Sequence, residues 1–342
     1  MKIVSHFLHH IDIKNSSVTT VDLELNNQNL EDYINELLDE IINNPNRRIY
    51  KFSNGNTEIK TSLYKILNND SEIEKVVELN AQRLLQKEID AQNFMKNKNM
   101  SIEIQKGSLL HLNFNINESK QIIICKVEHD EILNESNFEI VRGLNIRKKI
   151  FKAILIVFDQ SGEIYESLVF DKNNSKYWWY DFLELEQQYT DDENTEKSLN
   201  EIDKALNPLK NKFYADYTIL RNSIIGYFKN NNVLNYSDFI SNVINNYDSV
   251  NTDFPKEAIA KKLTELPSKK GFDTQFSIVK KKINKKIKHK IKLANNLFLS
   301  IDDYVDNLKN IIKTYKDSEG NKYVQILSSE GFDKLEDLME AK

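Results

Sequence analysis

The chain of 342 residues contains one cysteine, four prolines and eight glycines, and each shortage closes a class of function. A lone Cys125 cannot build an intrachain disulfide framework. Its neighbours Ile122-Ile123-Ile124 and Lys126-Val127 read as the interior of a sheet, where a single thiol is more often a small hydrophobe than a nucleophile. So few glycines argue against nucleotide-binding loops, which need them for close approach to phosphate. No run approaches the roughly eighteen apolar residues of a transmembrane helix, and Met1-Lys2-Ile3-Val4-Ser5-His6 lacks a signal-peptide hydrophobic region. The expectation is a cytoplasmic protein with no membrane contact. There is no Ser/His/Asp order with a nucleophile elbow, no Cys-x-x-Cys and no Walker-type loop, so no catalytic residue, metal or cofactor is expected.

What is present is ordinary in bulk and unusual in one place. The chain is 40 % hydrophobic and 29 % charged, as in a soluble globular protein long enough for two or three domains. Its wealth of Asn, Lys and Ile is the mark of an A+T-rich genome and is not chemistry. Its formal net charge is -5, yet Lys280 to Lys292 holds eight lysines and no acid. Overall composition does not explain a positive block in an acidic chain, whereas a phosphate backbone would. Ile283 and Ile287, four apart, share a helical face, with Lys280, Lys281, Lys285 and Lys288 around the rest. From Lys288 the rhythm becomes strict alternation: His289, Ile291 and Leu293 on one side, Lys288, Lys290 and Lys292 on the other. Asn295-Asn296 interrupts, and Leu297, Leu299 and Ile301 resume it, which is the pattern of a β-hairpin with a lysine face. The bland alternative is a solvated face, or lysines guarding an edge strand.

The rest of the chain reads as α+β, in three zones. Residues 1–172 carry helical stripes at Leu30 to Ile42, Glu58 to Leu67 and Ser71 to Met95, the last behind a Ser71-x-x-Glu74 capping box. A run of strand-like segments follows at Ser101 to Gln105, Leu109 to Ile116, Gln121 to Val127, Phe138 to Val141, Ile150 to Phe158 and Ile164 to Phe170. Such short spacing favours an antiparallel meander. Residues 173–270 form a helical zone, with helices expected at Tyr177 to Leu185, Glu193 to Asn207, Tyr214 to Lys229, Tyr236 to Asn246 and Pro255 to Leu266. Residues 271–342 form a small zone of the basic helix, the lysine hairpin and a second strand pair across Lys316 to Asn321, where Gly320 suits a left-handed turn.

Three further clusters carry weaker signals. The carboxylates Asp181, Glu184, Glu186, Asp191, Asp192, Glu193 and Glu196 could serve two-metal catalysis, but no strand-borne Asp with a Glu-x-Lys partner accompanies them. A solvated face is the simpler account. His6, His10 and Asp12 would share a strand face with nothing to complete a metal site, and they read as surface histidines. Trp178-Trp179, with Tyr177 and Tyr180, could stack on unpaired bases but reads more simply as a core at a domain junction.

The order of parts resembles the bacterial nucleoid-associated family of NdpA, also called YejK. The likeness rests on the sheet-rich first half, on Trp179-Tyr180-Asp181-Phe182-Leu183-Glu184 followed by Tyr189-Thr190-Asp191, and on the stretch from Gly271-Phe272-Asp273 to Ile301. It implies a non-enzymatic, DNA-associated protein of the cytoplasm and nucleoid, with no catalytic residues to carry over. Some relatives of that broad group accompany phage-defence genes. The dense lysine block departs from the family pattern in favour of nucleic acid, and the acids around Asp191 depart against it. The expected DNA-binding residues are Lys280, Lys281, Lys282, Lys285, Lys286, Lys288, Lys290 and Lys292. They would grip double-stranded DNA without reading sequence, because lysine is a point charge and the block has no arginine fork. A homodimer would suit symmetric DNA. The alternatives are a protein-interaction module docking an acidic partner through its basic face, and a metal-dependent nuclease.

Overall fold

The computed structural model describes residues 2–22, 28–133, 135–144, 151–171, 173–283 and 288–338, the side chains at 132, 141, 142 and 151 excepted. The chain divides into two compact units, Met1–Thr190 and Asp191–Lys342. Its class is α+β.

The first unit contains strands β1 (Lys2–Asp12), β2 (Ser17–Val21), β3 (Arg48–Phe52), β4 (Gly107–Ile116), β5 (Ser119–Leu133), β6 (Ile140–Leu144), β7 (Phe151–Phe158), β8 (Ile164–Phe170) and β9 (Leu185–Gln187). They form one antiparallel sheet in the order β2-β1-β4-β5-β7-β8-β3-β9, with β6 on the far end of β5. The expected meander is its centre, β4-β5-β7-β8. Helices α1 (Gln28–Ile42), α2 (Glu58–Leu67) and α3 (Ile73–Asn97) cover the two faces. On one face Leu37, Leu38 and Ile41 of α1 pack on Leu110, Leu112, Ile123 and Cys125. On the other, Leu63 of α2 and Val77 and Leu84 of α3 pack on Leu109, Ile122, Ile124 and Ile154. Burial on both faces explains why Ile122-Ile123-Ile124 is an unbroken apolar run and not an alternation.

Two local expectations fail in this unit, for identifiable reasons. Ser101 to Gln105 is not a strand, because its main chain is met by a side chain: Gln92 Nε2 donates to Ile102 O at 3.0 Å, and Ile104 N–H donates to Gln92 Oε1 at 2.7 Å. The Ser71-x-x-Glu74 box does not form either. Helix α3 starts at Ile73, its N-cap residue Glu72 makes no side-chain cap, and Asp70 Oδ1 accepts the Glu72 N–H at 2.9 Å.

The second unit is built on helices α4 (Asp191–Leu206), α5 (Leu209–Lys212), α6 (Tyr214–Asn230), α7 (Tyr236–Phe239), α8 (Lys256–Thr264) and α9 (Leu266–Lys270). Short α10 (Lys280–Ile283), α11 (Leu308–Ile311) and α12 (Ser329–Leu335) follow. Strands β10 (Val233–Asn235) and β11 (Gln275–Ser277) pair, as do β12 (His289–Ala294) with β13 (Leu297–Ile301) and β14 (Ile312–Lys316) with β15 (Lys322–Ile326). The turn before β15 has Gly320 at φ 93°, the left-handed conformation its sequence called for. Two expected helices are partly wider turns: Leu183 N–H reaches Trp178 O five residues back at 3.0 Å, and Asn246 N–H reaches Ser241 O at 3.2 Å.

Neither expected boundary, at 172 or at 270, divides the chain. Trp178, Phe182 and Leu185 belong to the first unit's core, and β9 pairs with β3, which carries that unit to Thr190. Phe272, Phe276, Ile278 and Ile283 share one core with Leu199, Leu220, Phe239 and Leu263, so among the described residues the basic zone has no core of its own. Apolar residues too few to shield one another join the nearest large core. Among the described residues no helix is long and apolar enough to cross a membrane.

Candidate nucleic-acid interface

The lysine hairpin forms with the two faces that its alternation predicts. His289 opposes Ile301 and Ile291 opposes Leu299 on one side, while Lys290 opposes Ser300 and Lys292 opposes Phe298 on the other. Asn296 turns the chain at φ 65°, a left-handed position that Asn tolerates better than most residues. A bulge between Lys292 and Ala294 breaks the alternation near the turn, and Leu293 and Leu297, both expected on the apolar side, are exposed.

The inner face explains why the ribbon has a fixed side. The His289 ring lies 5.7 Å from Tyr217 and 6.0 Å from Tyr214, with its Nε2 3.4 Å from Thr218 Oγ1. Burial, then the charges of Arg221 and Lys210, lower its pKa. The ring is a wedge packed against α6. Ile301 is buried beside it, and the chain leaving β13 is tied to α6 by a reciprocal pair: Asn222 Nδ2 donates to Val305 O at 2.7 Å, and Val305 N–H donates to Asn222 Oδ1 at 3.0 Å. Lys229 adds an ion pair with Asp303.

The eight candidate lysines separate into different roles. Lys280 is no free cation: its ammonium donates to Phe228 O at 2.9 Å and Lys229 O at 2.8 Å, and also to Asn231 O, closing the carbonyl end of α6. Lys282 faces Glu196 at 3.1 Å and Asp192 at 3.7 Å. Those two carboxylates raise its pKa. Lys280 is thus engaged by its own fold, whereas Lys282 makes an exposed ion pair at the surface. Lys285 and Lys286, with Ile287, lie outside the described residues. Lys281, Lys288, Lys290 and Lys292 are exposed, the last two on the outer face of β12.

Two carboxylates of the acidic stretch, Asp191 and Glu184, hold main-chain groups of the fold. Asp191 Oδ1 accepts the Ser277 N–H at 3.0 Å, and Thr195 Oγ1 accepts the Val279 N–H at 3.1 Å. Asn194 and Asp273 bond reciprocally: Asn194 Nδ2 donates to Asp273 Oδ2 at 2.8 Å, and Asp273 N–H donates to Asn194 Oδ1 at 2.9 Å. Asp191, Asn194 and Thr195 at the start of α4 thus hold the segment Asp273 to Val279 that leads the chain into the lysine block. In the first unit, Glu184 accepts the Ile59 N–H at 3.1 Å and pairs with Arg83 at 3.2 Å. Among the described residues no three His, Cys, Asp or Glu side chains converge as a metal site would require.

The N-terminal histidines are less superficial than their sequence suggests. His9 is buried, and His10 Nδ1 lies 2.8 Å from Ser108 Oγ, itself 2.7 Å from His129 Nε2. Asp12 is held by Lys106 at 3.0 Å. Strand pairing brought in His129 and Lys106, which no local pattern could announce. Trp178 is fully buried in the first unit's core, while Tyr180 is exposed.

A buried charge lattice in the first unit escaped sequence reasoning altogether. Lys126 of β5 stands directly opposite Lys152 of β7, on the face covered by α3. Lys126 and Glu88 of α3 pair with both side chains fully buried, Lys126 also donates to Gln105 O at 3.0 Å, and Lys152 pairs with Glu128 at 3.2 Å. Among the described residues Glu88 Oε2 has no hydrogen-bond partner. Burial raises the Glu88 pKa against the opposing pull of Lys126. The available signal was positional: Glu88 falls on the apolar stripe of Val77, Ala81 and Leu84.

No family model matches the chain, and no curated protein matches it.

Proposed function

We propose that the chain is a non-enzymatic nucleic-acid-binding protein of the nucleoid-associated kind, gripping the phosphate backbone with little regard for sequence. The observation that carries this reading is the one-sided ribbon. Lys290 and Lys292 project from the outer face of a hairpin whose inner face is seated on α6, with exposed Lys288 just before it and Lys281 on α10. Lys290 and Lys292, fixed on one face of a strand, meet phosphate as a preformed pair, at a smaller ordering cost than a loose tail would incur. A two-stranded ribbon also has the width to enter a major groove. The resemblance to the NdpA family points the same way, toward double-stranded DNA and the nucleoid, and leaves a role in phage defence as one setting for the activity.

Fluorescence anisotropy on duplex DNA tests the reading. If these four lysines neutralise about four phosphates, log K falls with log salt at a slope of about -3.6. Changing Lys288, Lys290 and Lys292 together to Glu should abolish binding at moderate salt; unchanged affinity would sink the proposal. One observation favours a second reading, a module that docks an acidic protein: Lys282 already engages Glu196 and Asp192 of its own chain. That reading predicts a salt-sensitive protein partner and indifference to DNA.

A further inference from the structure

The outer face of the hairpin carries one residue that charge does not explain. Phe298 stands directly across from Lys292, diagonal to Lys290, and the residue is 54 % exposed. Among the described residues no aromatic ring packs on it. Isolated exposed apolar residues are common on protein surfaces, so the exposure alone decides nothing. Its setting does: the residue stands opposite Lys292 and diagonal to Lys290, on the side of the ribbon away from the face that carries His289 and Ile301. An aromatic plane between cations on an open strand face is the arrangement by which single-stranded nucleic acid is held, with bases stacked on rings and phosphates on lysines.

Resting on the nucleic-acid reading above, we infer that Phe298 is a base-stacking platform and that the hairpin favours single-stranded over duplex nucleic acid. Lys290 and Lys292 hold the phosphates flanking the stacked base, and Ser300 beside Lys290 completes a polar border. A duplex offers the same phosphates but keeps its base faces covered, so only the lysine part of the contact is available to it. The preference is indifferent to base identity, since every base has a π-face.

The test uses the full chain with a single-stranded oligonucleotide and its duplex, side by side at one salt concentration. Phe298→Leu keeps an apolar strand residue and removes the ring, and it should weaken single-strand binding by roughly 5- to 150-fold while leaving duplex affinity unchanged. Phe298→Trp should retain single-strand affinity, with indole emission quenched on binding. Equal affinity of wild type and Phe298→Leu for the single strand overturns the inference, and so does an equal loss on both probes, which would mark Phe298 as a support of the hairpin only. If the Lys288, Lys290 and Lys292 substitutions abolish both affinities while Phe298→Leu changes neither, the backbone-gripping reading stands and this inference falls. If the wild type binds neither probe, both fall.

Discussion

Replacing Lys126 by Met should be among the most damaging single changes available to the first unit. The substitution nearly preserves side-chain volume, so the effect is electrostatic and not a cavity. It leaves Glu88 fully buried without its cation, and it also removes the bond to Gln105 O. Breaking a buried pair from one side costs about 3–5 kcal/mol, because the surviving charge has neither water nor partner. Lys152, opposite Lys126, softens the loss, since it too exerts a favourable field on Glu88. At a denaturant slope of about 2 kcal/mol per molar urea, the midpoint should fall by roughly 1.5–2.5 M. The assay is specific to this unit: both tryptophans, Trp178 and Trp179, pack in or against its core, so their emission follows its unfolding. Converting both partners, Lys126→Met with Glu88→Leu, should restore stability to within about 1.5 kcal/mol of wild type, since matched apolar groups replace a pair that burial already penalises. The pH dependence has a definite sign. The Glu88 pKa is raised in the folded state, so the folded state takes up the proton first, and stability declines as pH rises from the ordinary glutamate range through the folded value. Loss of Lys126 raises that value further, so the deficit of Lys126→Met relative to wild type should shrink on going from about pH 7.5 to about pH 5. A cost below about 1 kcal/mol at neutral pH, or a double variant no better than the single one, would refute the argument.

Lys280→Met should destabilise the second unit by about 2–3 kcal/mol, through the loss of charge-assisted bonds at the end of α6, while leaving the salt dependence of DNA binding unaltered. Urea unfolding followed by circular dichroism, beside a binding titration, separates the two effects. Gly226→Ala places a Cβ 2.5 Å from Tyr304 Cε2, so it should destabilise by about 1–2 kcal/mol. In a Tyr304→Ala background the same change should stabilise by up to about 1 kcal/mol, the ordinary helix preference for Ala, and a sign that does not reverse would disprove the contact. Burial, reinforced by His9, lowers the His111 pKa to about 3, and burial with His10 lowers that of His129 to about 4. Both histidines resist protonation only when folded, so stability is full above about pH 6.5 and is lost as pH falls toward those values. Glu88 acts in the opposite direction, so the test is made in a Glu88→Gln background, where tryptophan-detected urea midpoints that stay level from about pH 7 to pH 4.5 would contradict this.

Periodicity is local, and what depended on it was legible. The stripe of α1, the unbroken run of β5 and the alternation from His289 each follow from neighbours within a few residues, and all three elements form. The two-sided hairpin with Lys290 and Lys292 outward could be drawn from the sequence because alternation fixes facing without knowledge of any partner. Sequence could not say which lysines were already engaged. Lys280 and Lys281 are adjacent and chemically identical, yet one closes the end of α6 and the other is exposed, a difference set by a helix about fifty residues earlier in the chain. The joint of Asn194 with Asp273 and the pairing of Lys126 with Glu88 are long-range in the same sense. By itself, then, the sequence determined the elements, their faces and the concentration of positive charge at one end of the chain, since these follow from local spacing. Tertiary structure decided which charges are buried, which are paired and which face solvent, because a side chain's partner is chosen by proximity in space, and only the packed fold defines that.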